Sequence, residues 1–188
     1  GPFDFNPSFA QAGVFNVTFI ASDGVAADSE VVAITVTNVN RSPVLASIGP
    51  RSVNAGATLN FVASSTDPDG NFAALSALTV PLNATFTDNG NGAGTFDFDP
   101  DFAQSGVFNV TFIASDGTLA DSEVVAITVT NVNQAPVLAA IGARNVSEGN
   151  NLNFNISASD FDATTPTLTA ENVPLNATFT DNGNGTGT

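Results

Sequence analysis

The chain has 188 residues, of which 18 are acidic and 3 are basic, and its net charge is −15. This charge repels phosphate backbones and anionic lipids, and no window approaches the roughly 20 apolar residues that span a bilayer, so we expect neither nucleic-acid binding nor membrane insertion. Because the sequence lacks Cys, His, Lys, Met, Trp and Tyr, it offers no thiol, imidazole or Schiff-base chemistry, and we expect no enzyme.

The sequence repeats itself with a period of 93 residues. Positions 3–24 are "FDFNPSFAQAGVFNVTFIASDG" and positions 96–117 are "FDFDPDFAQSGVFNVTFIASDG". Over one full period, 65 of 93 aligned residues are identical. The chain therefore contains copies of one structural unit.

Within a unit, apolar residues alternate with polar ones, which predicts β-strands with one buried face. In "GVFNVTFIAS", Phe108, Val110, Phe112 and Ala114 share one face. The sequence "DNGNG" at 88–92 is typical of a hairpin turn. We predict strands at 43–49, 51–56, 58–64, 78–83, 84–87, 95–99, 107–115 and 123–132. About seven short antiparallel strands in about 90 residues predict an all-β fold of tandem Greek-key sandwiches.

The seams between units are "TNVNRSPV" at 37–44 and "TNVNQAPV" at 130–137, where proline interrupts strand pairing. We expect 1–40 to be the C-terminal half of a sandwich, 41–133 a complete sandwich and 134–188 an N-terminal half. Two interpretations stay open. The chain is a window of a longer array, or the 134–188 half of one chain completes the 1–40 half of another.

The order of "NVN..PVL", "STDPDGN", "FDFDPDFAQSG", "FNVTFIASDG" and "DSEVVAITVTNVN" resembles the cadherin-like and immunoglobulin-like tandem repeats of large bacterial surface proteins of the adhesin type. The resemblance covers the whole chain. It implies an extracellular, cell-surface location and a structural role as a stalk, spacer or filament whose partners are copies of itself. An adhesion module that binds glycans or proteins through variable sandwich-end loops, such as 68–78 and 161–172, is the alternative.

The resemblance also implies calcium at the joints between domains, bound by carboxylate and amide oxygens. The candidate ligands at the first joint are Asn38, Asn40, Asp67, Asp69 and Asp116. Those at the second joint are Asn131, Asn133, Asp160 and Asp162. Arg41 departs from the family pattern and would repel a cation, so we expect at most one ion per joint. The alternative interpretation of "DPDG" is a turn that the aspartate caps.

Overall fold

The computed structural model describes residues 1–162 and 164–188, and within them the protein consists of strands, turns and loops. These residues contain no helix, and so none that is long and apolar enough to cross a membrane. The strands are β1 Gly13–Ser22, β2 Ala27–Val36, β3 Val44–Leu45, β4 Arg51–Asn54, β5 Leu59–Thr66, β6 Ala74–Leu78, β7 Ala84–Asp88, β8 Ala93–Phe98, β9 Gly106–Ser115, β10 Ala120–Thr130, β11 Val137–Leu138, β12 Ile156–Ser159 and β13 Thr186–Gly187.

Strands β3 to β10 form two four-stranded sheets, in the orders β3-β5-β8-β7 and β4-β10-β9-β6. The core between them contains the predicted inward residues, and Phe96, Phe98, Phe112 and Ile127 are each 0% exposed. Burying each such side chain contributes about 1.5–3 kcal/mol. The predicted all-β sandwich is confirmed.

One strand pair departs from the predicted antiparallel arrangement. The chain crosses from the first sheet to the second between β3 and β4, and β4 then runs parallel to β10, with Arg51 opposite Ile127 and Asn54 opposite Thr130. Every other pairing of named strands in the described residues is antiparallel. The first and last strands of this sheet therefore lie side by side and point the same way.

The strand predicted at 78–83 lies about four residues earlier, as β6. Thr79 and Asn83 have φ angles of 55° and 65°, which no strand contains, and Pro81 has no N–H to donate to a neighbouring strand. The Thr79 hydroxyl instead donates a hydrogen bond to the carbonyl oxygen of Asn109 at 2.7 Å. The alternating pattern of "LTVPL" was therefore misleading.

The predicted hairpin at 88–92 is confirmed between β7 and β8. Gly90 and Gly92 have φ angles of 73° and 76°, where a side chain is strained, and the Asn89 N–H donates to the Ala93 oxygen at 2.9 Å. Just after the turn, the Phe86 ring lies against Gly94, so that a Cβ atom there would overlap the ring.

The flanking segments contain less paired structure. β1 and β2 form a hairpin, and β11, β12 and β13 form a small sheet. In the described residues neither group joins the two sheets of the central sandwich. The division of the chain at 40/41 and 133/134 stays a prediction.

Candidate functional site

The first joint is built around Arg41, which lies in the seam 37–44 between the β1–β2 hairpin and the sandwich. Its guanidinium Nη2 lies 2.7 Å from Asp69 Oδ1, and its Nε donates to the same oxygen at 2.8 Å. The Arg41 backbone N–H donates to Asp69 Oδ2 at 2.7 Å. Both oxygens of the Asp69 carboxylate, whose side chain is only 5% exposed, are thus bound by one residue.

The turn that presents Asp69 is the capped turn expected as the alternative to an ion site. Asp67 Oδ1 accepts the Asp69 N–H at 2.7 Å, and the Asp67 carbonyl oxygen accepts the Gly70 N–H at 3.0 Å. Gly70 has a φ angle of 84°, which suits glycine. The local sequence "DPDG" therefore folds into its turn through its own backbone and the first aspartate.

Arg41 also connects the turn to the segment before β1. Its guanidinium carbon lies 5.3 Å from the centre of the Phe9 ring, within the range of a cation–π interaction, and its Nη2 donates to the Pro68 carbonyl oxygen. Asn38 lines a groove here together with Phe9, Arg41 and Asp69. A single side chain thus bridges the two sides of the joint.

The other predicted ligands at this joint are held by hydrogen bonds. Asn40 Nδ2 donates to Asp116 Oδ2 at 2.8 Å, while Asp116 Oδ1 accepts the N–H groups of Thr118 and Leu119, each at 2.7 Å. The Leu119 N–H, then that of Thr118 and then the Asn40 amide lower the pKa of Asp116. The Arg41 N–H, followed by its guanidinium, lowers the pKa of Asp69. Both carboxylates are therefore stabilised as anions without an ion.

This arrangement does not fit a calcium ion as it stands. Calcium needs about six to eight oxygen ligands, whereas Asp69 is bound by a guanidinium and Asp116 by three N–H donors. The one carboxylate oxygen here that is buried without a hydrogen-bond partner in the described residues is Asp67 Oδ2. Arg41 supplies at the first joint the positive charge that an ion would bring.

At the second joint Gln134 stands where Arg41 stands at the first. The Gln134 N–H donates to Asp162 Oδ2 at 3.0 Å, and the Asp162 N–H donates to Asp160 Oδ1 at 3.0 Å. Asn133 donates to the Gln134 carbonyl oxygen at 3.0 Å, and Asn131 is exposed. Within the described residues, the aspartate cap and the backbone contact of the first joint are thus repeated, but without a guanidinium. Across the described residues, no three His, Cys, Asp or Glu side chains are grouped as a metal site, and the calcium prediction stays a prediction.

Comparison with protein families matches residues 40–130 to the bacterial Ig domain family. The sandwich of β3 to β10 lies within this segment and is Ig-like in fold, and we call it the Ig domain. Ig-like domains are generally non-enzymatic, and the match supports a structural or adhesion repeat module. No curated protein sequence matches the chain.

Solved structures similar to the chain come from several kinds of protein. An endo-fucoidan hydrolase of glycoside hydrolase family 107 is 22% identical with a TM-score of 0.45, and the match covers 67% of this chain and 20% of that one. Titin domain M7 is 12% identical with a TM-score of 0.38, covering 49% and 97%. The SrpA adhesin of Streptococcus sanguinis is 12% identical with a TM-score of 0.42, covering 50% and 58%. The chain thus spans only a fifth of the hydrolase.

Sequence reasoning missed a carboxylate clamp inside the Ig domain. On β10, Asp121 Oδ2 accepts the Leu45 N–H at 2.8 Å, and the two Glu123 oxygens accept the N–H groups of Ile48 and Gly49, each at 2.8 Å. These donors lie where the chain crosses between the sheets and has few strand partners. The signal in the sequence was "DSE" at the start of β10, where acidic residues replace the usual β-formers.

Proposed function

We propose that the chain is a structural repeat module of an extracellular, cell-surface protein, in which tandem Ig domains form a stalk, spacer or filament. Its partners are further copies of the same domain. The observation that carries the proposal is the parallel pairing of β4 with β10, because it determines how the domain responds to tension.

A force on such a spacer passes through the two-residue strand β3 and then pulls β4 toward its N-terminus and β10 toward its C-terminus. Since the two strands are parallel and adjacent, these forces point in opposite directions along the pair and load its hydrogen bonds together, in shear. An antiparallel terminal pair would instead open one bond at a time. Strands β4 and β10 therefore suit a domain that transmits load.

A spacer also needs joints of limited flexibility, and Arg41 provides one by binding Asp69 on the domain side and Phe9 on the hairpin side. Spin labels at the exposed positions Ser29 and Thr87, introduced as cysteines into a chain that has none, measure the distance across this joint. We expect a narrow distance distribution that broadens in R41A.

The matched control for this measurement is R51A. Arg51 also lies over a phenylalanine ring, that of Phe61, at 5.1 Å, but within the Ig domain. If Arg41 acts as a joint residue, R51A leaves the distribution of spin-label distances unchanged. A distribution that is already broad in the unmodified chain, or equal effects of R41A and R51A, would argue against the spacer.

The loops at the end of the sandwich support the alternative of a glycan- or protein-binding adhesion module. The predicted loop 68–78 is a loop only up to residue 73, where β6 follows, and Phe72 within it is 73% exposed. The matching loop 161–172 differs in sequence, and Ala163 within it lies outside the described residues. Retention on immobilised polysaccharides that is lost in F72A would favour this alternative, whereas a spacer passes through unretained.

For calcium, we propose the second joint, where Asp160 and Asp162 contact no guanidinium among the residues that the structure describes and the linker amides of Asn131 and Asn133 lie nearby in sequence. Calorimetric titration of the chain with calcium chloride tests this directly. Heat of binding that disappears in D162N and persists in D69N supports it. Absence of heat in the unmodified chain removes calcium from the proposal.

A further inference from the structure

The outward face of one sheet of the Ig domain carries no charged side chain. In the sheet β4-β10-β9-β6, the residues that alternate with the buried ones point away from the core, and all of them are Ser, Thr, Asn, Ala, Val, Ile or Leu. The charged residues of these strands, Arg51, Asp121 and Glu123, alternate with them on the inward side, where the two acidic ones bind N–H groups of residues 45–49. We call these outward residues of β4, β6, β9 and β10 the neutral face.

The centre of the neutral face is apolar. Val124 and Leu78 lie on either side of Thr111 in one cross-strand row, and they are 64% and 55% exposed. Ile113 lies two residues further along β9, is half-buried, and has a serine beside it on each neighbouring strand. An apolar centre with an uncharged polar border is the composition of a protein–protein interface, because charged residues are depleted from interface cores.

The outward face of the other sheet differs in charge. Asp97 lies in a cross-strand row between Asn60 and Thr85, and the exposed Val62 lies in the next row, opposite Thr95. Two such faces brought together would bury the carboxylate of Asp97 without a cation, which costs free energy. Of the two sheet faces, the neutral face is therefore the one suited to burial.

The neutral face is repeated on the β1–β2 hairpin. Val31 lies opposite Thr18, as Val124 lies opposite Thr111 in the Ig domain. Val31 is 63% exposed and Val124 is 64% exposed, so the outward valine is equally accessible in both units. The face thus recurs with the 93-residue period of the sequence.

The occupant that fits the neutral face best is the same face of a second copy. The net charge of −15 repels nucleic acids and anionic lipids, and it draws a cationic partner to the carboxylates, which lie elsewhere. The neutral face has no aromatic side chain on which a sugar ring could stack. Two copies related by a two-fold axis bring apolar centre onto apolar centre and place no charge against another.

The size of the neutral face determines how firmly one domain binds another. Strand spacings of about 3.4 Å per residue and about 4.8 Å between strands give it a flat area of roughly 500 Å², and the outward face of the β1–β2 hairpin adds roughly 300 Å². A specific protein interface buries about 800 Å² per partner. One Ig domain alone is therefore small for stable pairing, whereas successive units together reach the usual size.

We propose that neighbouring copies of the chain associate side by side, neutral face against neutral face, as two sheets packed about 10 Å apart. The inference rests on the proposed function, since it names how neighbouring spacers associate. Each unit of an array adds the same contact, so the association strengthens with the number of units.

Substitution of one exposed valine in each sheet tests the choice of face. V124E places a carboxylate at the centre of the neutral face, and V62E is the matched control, because Val62 is 58% exposed on the other sheet. We expect sedimentation equilibrium of the 188-residue chain to show an average mass that rises with protein concentration. V124E weakens this self-association at least severalfold, and V62E leaves it unchanged. Equal effects of the two variants, or a mass that stays monomeric at every concentration, would overturn the inference.

A second pair of variants keeps the test valid if a valine variant fails to fold. Thr111 and Thr95 are both half-buried and lie at the centres of the two outward faces. Cooperative melting of each variant shows whether its fold is retained. Among folded variants, we expect T111E to lose self-association and T95E to keep it; the reverse order would overturn the inference.

The response to salt gives an independent readout. Because the copies carry like charge outside the neutral face, sodium chloride screens their repulsion, and we expect self-association to strengthen as salt rises. Contacts between an arginine of one copy and carboxylates of another would weaken instead, and such weakening would overturn the inference. A monomeric chain whose joint still responds to R41A would overturn the inference while leaving the spacer proposal standing.

Discussion

The two joints of the chain differ at one residue that changes their chemistry. Arg41 binds both oxygens of Asp69 at the first joint, while Gln134 binds Asp162 only through its backbone N–H. Guanidinium and carboxylate form a two-contact pair that a neutral amide does not replace. The sequence indicated that Arg41 would disfavour a cation, but not that it would bind the aspartate expected to hold one.

The lowered pKa values of Asp69 and Asp116 predict how the protein responds to acid. A carboxyl group whose folded pKa lies below its ordinary value of 3.8 stabilises the fold above that value, and this contribution is lost as the pH falls through the folded pKa. We expect the free energy of unfolding to be level near neutral pH and to decline below about pH 4. Denaturant titrations at a series of pH values measure it.

The variant D69N measures how much of this loss of unfolding free energy in acid comes from the first joint. Asparagine cannot lose a proton, so the variant is less stable than the parent at pH 7, and its stability falls less steeply in acid. If unfolding free energy falls equally steeply with pH in parent and variant, the Arg41–Asp69 pair does not cause the pH dependence.

Gly94 illustrates a residue whose role only the structure explains. The Phe86 ring lies on it, so G94A forces the ring to move and is expected to cost about 1–3 kcal/mol of unfolding free energy. Thermal or chemical denaturation measures this. The double variant F86L/G94A should recover part of the loss, because the smaller side chain leaves room for the added methyl group; a double variant that is no better than additive would contradict the packing explanation.

At the scale of elements, the carboxylates at the start of β10 hold the segment that crosses between the sheets. E123A leaves the N–H groups of Ile48 and Gly49 without their acceptor, which should cost about 1–3 kcal/mol in denaturation of the Ig domain. E30A is the matched control, since Glu30 is the counterpart on β2, outside the Ig domain. Equal losses of domain stability in E123A and E30A would contradict the clamp.

The sequence predicted elements best where one face is simply apolar. In β8 and β9, the apolar residues Phe96, Phe98, Val110 and Phe112 alternate with polar ones and are buried, as predicted. In such strands the direction of a side chain alone decides whether it is buried. The misplaced strand at 78–83 failed for a different reason, since Thr79 and Asn83 are left-handed and residues 81–84 form a turn in which the Ala84 N–H donates to the Pro81 oxygen at 3.1 Å. The parallel β4–β10 pair and the Arg41 contacts join residues far apart in sequence, and no local pattern encodes them.

At the scale of the whole molecule, the proposed spacer function makes the Ig domain a mechanical unit in which tension loads β4 and β10 in shear. The sandwich from β3 to β10 has a continuous core of phenylalanine, valine and isoleucine side chains, so it is expected to unfold in one cooperative step. We expect the resistance of that step to tension to come from the hydrogen bonds between β4 and β10.

Stretching the 188-residue chain by its two ends in a single-molecule force experiment tests this claim most directly. We expect one dominant unfolding event that releases roughly 300 Å of chain, the extended length of residues 44–130 at about 3.6 Å each. We also expect the unfolding force to be higher when the chain is pulled by its ends than when it is pulled through cysteine handles on β7 and β8. The second geometry opens the antiparallel β7–β8 pair one hydrogen bond at a time. Featureless extension, or equal forces in the two geometries, would contradict the load-bearing spacer.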